Sequence, residues 1–216
     1  CSSDLIEPRF VASWVEAIRS SGDPALRSAG LLIRPHPERV KEWAGVSLDG
    51  LDDVVVHGRL PIDASAKDDY FDSLYHSAAV VGLCTSAFLE AAIIGRPVLT
   101  LLLPPYRMHQ DGMAHFRYLL EVGGGLLHTA PDVPAHLSQL SAALAQGGTR
   151  DERNVRFLKA FIRPEGLETA ATPRFVDAVE RLGSTHASSA PMPTASSTAT
   201  AFVTKLALAT RGRVGR

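Results

Sequence analysis

Short apolar runs constrain this chain more than any other feature of its sequence. Leu31-Leu32-Ile33, Val54-Val55-Val56-His57, Ala79 to Cys84, Pro97 to Leu103 and Leu126-Leu127-His128 lack the polar alternation of a half-exposed strand. A strand that is apolar on consecutive residues is buried on both faces, the condition of a parallel sheet covered by helices. Helical spacing falls on Phe10 to Ser20, Asp68 to Ser77, Ala87 to Ile94, Gln110 to Val122, Pro134 to Ala145, Asp151 to Ile162 and Thr172 to Leu182. This order predicts an α/β fold: a Rossmann-like, doubly wound parallel sheet over residues 1–183. Ligands of such sheets bind beyond the carboxyl ends of the strands. The segments to examine therefore follow Ile33, Val56, Leu83, Leu103 and His128.

Charge and composition exclude several function classes. Lys plus Arg is 22 and Asp plus Glu is 23, so the net charge of −1 offers no basic excess for a nucleic-acid backbone. With 45% hydrophobic and 21% charged residues, the chain can bury a core. No apolar run approaches the ~20 residues of a membrane-spanning helix. Cys1 and Cys84 make no disulfide framework, which fits a reducing, cytoplasmic compartment. A start at Cys1 rather than Met, with no secretory signal, reads as a fragment of a longer chain. From Ser184 to Ala201 all residues but His186 and Met192 are Ser, Thr, Ala or Pro, so 184–216 is expected to be a disordered tail. Lys205, Arg211, Arg213 and Arg216 close that tail and allow peripheral contact with an anionic membrane face.

Three segments carry candidate chemistry. In Cys84-Thr85-Ser86-Ala87-Phe88-Leu89-Glu90, a strand end is followed by two hydroxyls and a helix opening. Ser86 is placed to cap that helix, whose amino end favours an anion. Glu90 lies four residues on, among apolar neighbours, where a carboxylate requires water, a cation or ligand hydroxyls. Two adjacent ribose hydroxyls match its two oxygens; the other reading is a solvent-facing glutamate. In Arg34-Pro35-His36-Pro37 the prolines brace the backbone, so Arg34 and His36 are candidates for phosphate oxygens, against the plainer reading of a turn with a surface histidine. In Tyr106 to His115, Gln110 is a donor and acceptor for sugar hydroxyls, and His115 is either structural or a ligand contact.

Other chemistries find no support. No Gly-x-Gly-x-x-Gly or Walker sequence follows a strand, Ser86 is not in a Gly-x-Ser-x-Gly elbow, and the histidines and cysteines lack zinc-ligand spacing.

Together, Thr85-Ser86-(x)3-Glu90-(x)4-Gly95-Arg96-Pro97-Val98 and Arg34-Pro35-His36-Pro37 resemble the carboxyl-terminal, donor-nucleotide half of a GT-B glycosyltransferase. The likeness is to bacterial capsule and cell-envelope polysaccharide glycosyltransferases and glycerol phosphate transferases. It implies metal-independent transfer of a sugar or polyol phosphate from a nucleotide-activated donor, with no cofactor. Glu90 would hold the ribose hydroxyls, Gln110 the donor sugar, and His36 the phosphates. Thr85, Ser86, Arg34 and His115 complete the implied donor site. The resemblance also implies an amino-terminal acceptor domain bearing the catalytic base, for which this stretch has no room, so the fragment alone is expected to be inactive. Two alternatives stand beside it: a nucleotide-sugar 2-epimerase-like enzyme, and a non-catalytic nucleotide-sugar-binding module.

Overall fold

Parallel pairing of very short strands organises the chain in the computed structural model, which describes residues 6–46, 48, 50–58 and 62–189. The chain start at Cys1 and the part of the expected tail from 190 to 216 lie outside the described residues. The chain divides into two compact units, Cys1–Glu168 and Thr169–Arg216.

In the first unit α1 (Ile6–Arg19) and α2 (Pro24–Arg27) precede β1 (Leu31–Ile33). A 3-10 helix (Pro37–Gly45) then leads towards β2 (Val54–Val56), and α3 (Ala64–Tyr75) follows. The succession β3 (Val80–Gly82), α4 (Ala87–Ile94), β4 (Val98–Leu101), α5 (Ala114–Glu121), β5 (His128–Ala130) comes next. The unit ends in α6 (Val133–Ala145) and α7 (Glu152–Phe157), the latter passing into a π-helical turn (Leu158–Ile162). The second unit contains α8 (Ala171–Ser189). Among the described residues no helix is long and apolar enough to cross a membrane.

Among the described residues every strand pair is parallel, as the sequence predicts. β1 pairs with β2 from Leu31↔Val54 to Ile33↔Val56. β4 lies between β3 (Val80↔Val98 to Gly82↔Thr100) and β5 (Leu99↔His128 to Leu101↔Ala130). The described residues form a two-stranded sheet, β1-β2, and a three-stranded sheet, β3-β4-β5, in a mixed α/β arrangement. β1 and β3 share no ladder, so each sheet keeps its own register.

Consecutive residues of β4 face opposite helical layers. Val98 packs with Phe88, Ala91, Ala92, Phe116, Leu126 and Phe157, under α4, α5 and α7. Leu99 packs with Ile18, Leu26, Leu140 and Ala143, under α1, α2 and α6, where Leu31 and Val81 also lie. Both faces of β4 are therefore dry, as its sequence predicts, whereas Leu32 of β1 and Val55 and Val56 of β2 are exposed, against the expectation for their unalternating runs.

Local chemistry moves several boundaries. Asp63 accepts the Ala66 N–H at 2.8 Å and so starts α3 at Ala64, ahead of the predicted Asp68. Pro104 and Pro105 open a 3-10 turn, Pro104–His109, which delays α5 to Ala114. β5 begins only at His128. α8 continues to Ser189, beyond the predicted end of order at Gly183. The helix Ala87–Ile94 begins and ends as its sequence predicts, closed by Gly95 at φ 95°, a left-handed conformation that costs glycine little.

Two core positions yield predictions. A Cβ on Gly82 would lie 2.7 Å from Phe88 Cε1 and 2.9 Å from Thr85 Cγ2, and Phe88 is fully buried. Gly82→Ala is expected to cost roughly 1–3 kcal/mol by urea unfolding, from overpacking. His136 on α6 is also fully buried; its ring lies 6.1 Å from that of Trp14, and neither ring nitrogen has a partner among the described residues. Burial lowers its pKa from 6.5 to about 4. The unfolded chain therefore takes up this proton at higher pH than the folded one. Stability is expected to fall by about 3 kcal/mol between pH 6.5 and pH 4, and His136→Phe should remove that part of the pH dependence.

Candidate functional site

The carboxyl ends of β1 and β2 present one cation and one imidazole to the same carboxylate. Arg34 follows β1 directly, and Pro35 prevents the strand from continuing its ladder. Its half-buried guanidinium donates to Asp69 Oδ2 at 2.9 Å. His57, the residue after β2, places Nε2 3.2 Å from Asp69 Oδ1. Both oxygens of Asp69 are thus engaged. The hydrogen bond from Arg34 is the main cause that holds this carboxyl below its usual range, with the charge of His57 adding to it.

Asp69 and Tyr70 are neighbours on α3 and link the rim to α4. The Arg34 guanidinium lies 5.3 Å over the Tyr70 ring, a cation–π contact. The Tyr70 hydroxyl donates to Glu90 Oε2. Burial is the first cause that raises the Tyr70 pKa, followed by the bond to Glu90, so the phenol remains a donor at neutral pH. His57, Asp69, Arg34, Tyr70 and Glu90 form one continuous network across the ends of β1 and β2 and the first turns of α4.

The turn before α4 differs from the sequence expectation in one respect. Ser86 stands at the cap position with helical angles (φ −66°, ψ −22°), and its hydroxyl makes no capping bond. Thr85 caps instead, its Oγ1 accepting the Ala87 N–H at 3.2 Å. Both hydroxyl residues are exposed, on the turn that leads to Glu90. Beside them Cys84 Sγ lies 3.9 Å from His115 Nε2. Burial, then the charge of Glu7, raises the Cys84 pKa, so the thiol is not poised as a nucleophile.

Two other expected contacts are placed differently. Gln110 is 0% exposed, and its Nε2 donates to the Leu83 carbonyl at 2.9 Å and the Leu101 carbonyl at 2.8 Å. With both amide hydrogens spent, it clamps the ends of β3 and β4 and has no donor left for a sugar hydroxyl. His36 is exposed, and its Nδ1 accepts the Glu38 N–H at 3.3 Å. Pro37 opens the following helix, which makes His36 its cap and commits one ring nitrogen to the backbone.

The structure therefore joins Arg34 to Glu90 through residues that sequence reasoning did not single out. Tyr70 is assigned by periodicity to an apolar stripe with Phe71, Leu74 and Tyr75, and nothing in that pattern marks its hydroxyl. His57 carried a detectable signal, since it ends a strand on the carboxyl side. Among the described residues no group of three or more His, Cys, Asp or Glu is arranged to hold a metal ion. Compared with known proteins, the chain matches no family model, no curated protein and no solved structure.

The clamp is testable by substitution. Gln110→Ala leaves the Leu83 and Leu101 carbonyls without this donor in a buried setting. It is expected to cost about 2–4 kcal/mol in denaturant unfolding.

Proposed function

We propose that the unit Cys1–Glu168 is the donor-nucleotide half of a GT-B-type glycosyltransferase, binding a nucleotide-activated sugar or polyol phosphate at the carboxyl ends of its strands. The observation that carries this reading is the single network uniting Arg34 and Glu90 on one rim through Asp69 and Tyr70. Glu90 accepts the two ribose hydroxyls. Arg34 faces the diphosphate, its five N–H donors exceeding what Asp69 takes up. The exposed hydroxyls of Thr85 and Ser86 lie on the turn between strand end and helix, where the amino end of α4 adds positive potential.

In this reading the two small sheets are halves of one doubly wound, Rossmann-like sheet. The positions of the connecting helices support it. The helices that follow β3 and β4 pack on one face, whereas α1, which precedes β1, packs on the other. Right-handed crossovers running outward in opposite directions from a central position require this division. One parallel strand between β1 and β3 would unite the halves.

The chemistry follows from the charges at the rim. As the bond from the donor's anomeric carbon, or from the transferred phosphorus, to the nucleotide breaks, negative charge collects on the leaving phosphate. Arg34 and the amino end of α4 offset that charge. The acceptor and the group that takes its proton belong, in this reading, to a separate acceptor domain.

Calorimetric titration with UDP-, GDP-, CDP- and CMP-linked donors tests the proposal. Saturable binding to at least one is expected. Glu90→Ala should weaken that donor by roughly tenfold or more while leaving pyrophosphate affinity unchanged. Equal weakening of both, or no saturable binding to any donor by the folded chain, overturns it.

A further inference from the structure

We infer that Tyr70 is a positioning residue that presets the Glu90 carboxylate for a vicinal diol, and so makes the site selective for ribonucleotides over 2′-deoxyribonucleotides. This rests on the reading of Glu90 as the acceptor of the ribose hydroxyls.

Glu90 is exposed on α4, and a free glutamate there would sample many rotamers. Ordering such a side chain costs conformational entropy, which a ligand must otherwise supply. The Tyr70 hydroxyl removes that cost before any ligand arrives, by donating to Oε2. Among the described residues Oε1 has no hydrogen-bond partner, and Oε2 keeps a further lone pair, so the carboxylate still has acceptor sites for two hydroxyls.

Tyr70 is itself fixed. Arg34 lies over its ring at 5.3 Å, and Arg34 is held to Asp69 at 2.9 Å. The orientation of the carboxylate on α4 is thereby set from the end of β1, by way of α3. A carboxylate held in this way gains most when both hydroxyls are present. It gains little from a sugar that lacks one of them, because the single remaining bond does not require a fixed carboxylate plane.

The experiment compares Tyr70→Phe with the parent chain by calorimetry. The probes are the UDP-, GDP-, CDP- or CMP-linked donor that saturates the parent, and its 2′-deoxy counterpart. Tyr70→Phe should weaken the ribonucleotide about five- to tenfold and leave the 2′-deoxy compound unchanged. In a Glu90→Ala background it should have no further effect on either. A melting temperature close to the parent's establishes that the variant is folded.

Each contrary result strikes a distinct claim. Equal weakening of ribo and deoxy ligands makes Tyr70 merely structural and overturns the inference. An unchanged ribonucleotide affinity in Tyr70→Phe, with Glu90→Ala strongly impaired, overturns the inference and spares the donor-site reading. Glu90→Ala without effect, or no binding of any donor, overturns both.

Discussion

All four residues of β4 are buried, and from this condition the architecture of the first unit follows. Val98 and Leu99 point into opposite layers, so two separate helical surfaces must close over one strand. That double covering leaves the strand ends as the place where polar side chains meet solvent without breaking the core. Gln110 is drawn inward instead, to satisfy the Leu83 and Leu101 carbonyls where the ladders stop.

The rim is arranged on the same economy of partners. A half-buried guanidinium is tolerable only with a carboxylate beside it, and Asp69 meets that need for Arg34. Asp69 in turn draws in His57, and the planar face of Arg34 settles on Tyr70. What begins as local compensation of charge thus becomes a chain of contacts between separate elements.

Much of the fold was legible because apolar runs and helix stops write themselves directly into residue type, although among the described residues only β4 shows the burial on both faces that such runs suggest. Leu31-Leu32-Ile33 and Ala87 to Ile94 coincide with their elements, and Gly95 marks the helix end by its left-handed backbone. Boundaries set by a single side chain were harder to see: Asp63 starts α3 through one hydrogen bond, and periodicity does not register it. The site was legible in part for a similar reason. Arg34 and Glu90 stand out by charge in apolar or proline-braced surroundings. Tyr70, by contrast, has an aromatic body that satisfies an apolar pattern and a hydroxyl that a pattern ignores. The loss of Gln110 as a surface donor came from a backbone need, the open carbonyls of Leu83 and Leu101, which appears only when the chain is folded; His36 gives Nδ1 to a helix start and keeps Nε2 as an exposed donor.

The close approach of Gly82 to Phe88 has a mechanical meaning for the rim. With only a hydrogen atom on the strand at that point, the Phe88 ring and the Thr85 methyl settle directly against the backbone of β3. A methyl group there would have to push the ring, and with it the first turn of α4 that carries Glu90, away from the strand.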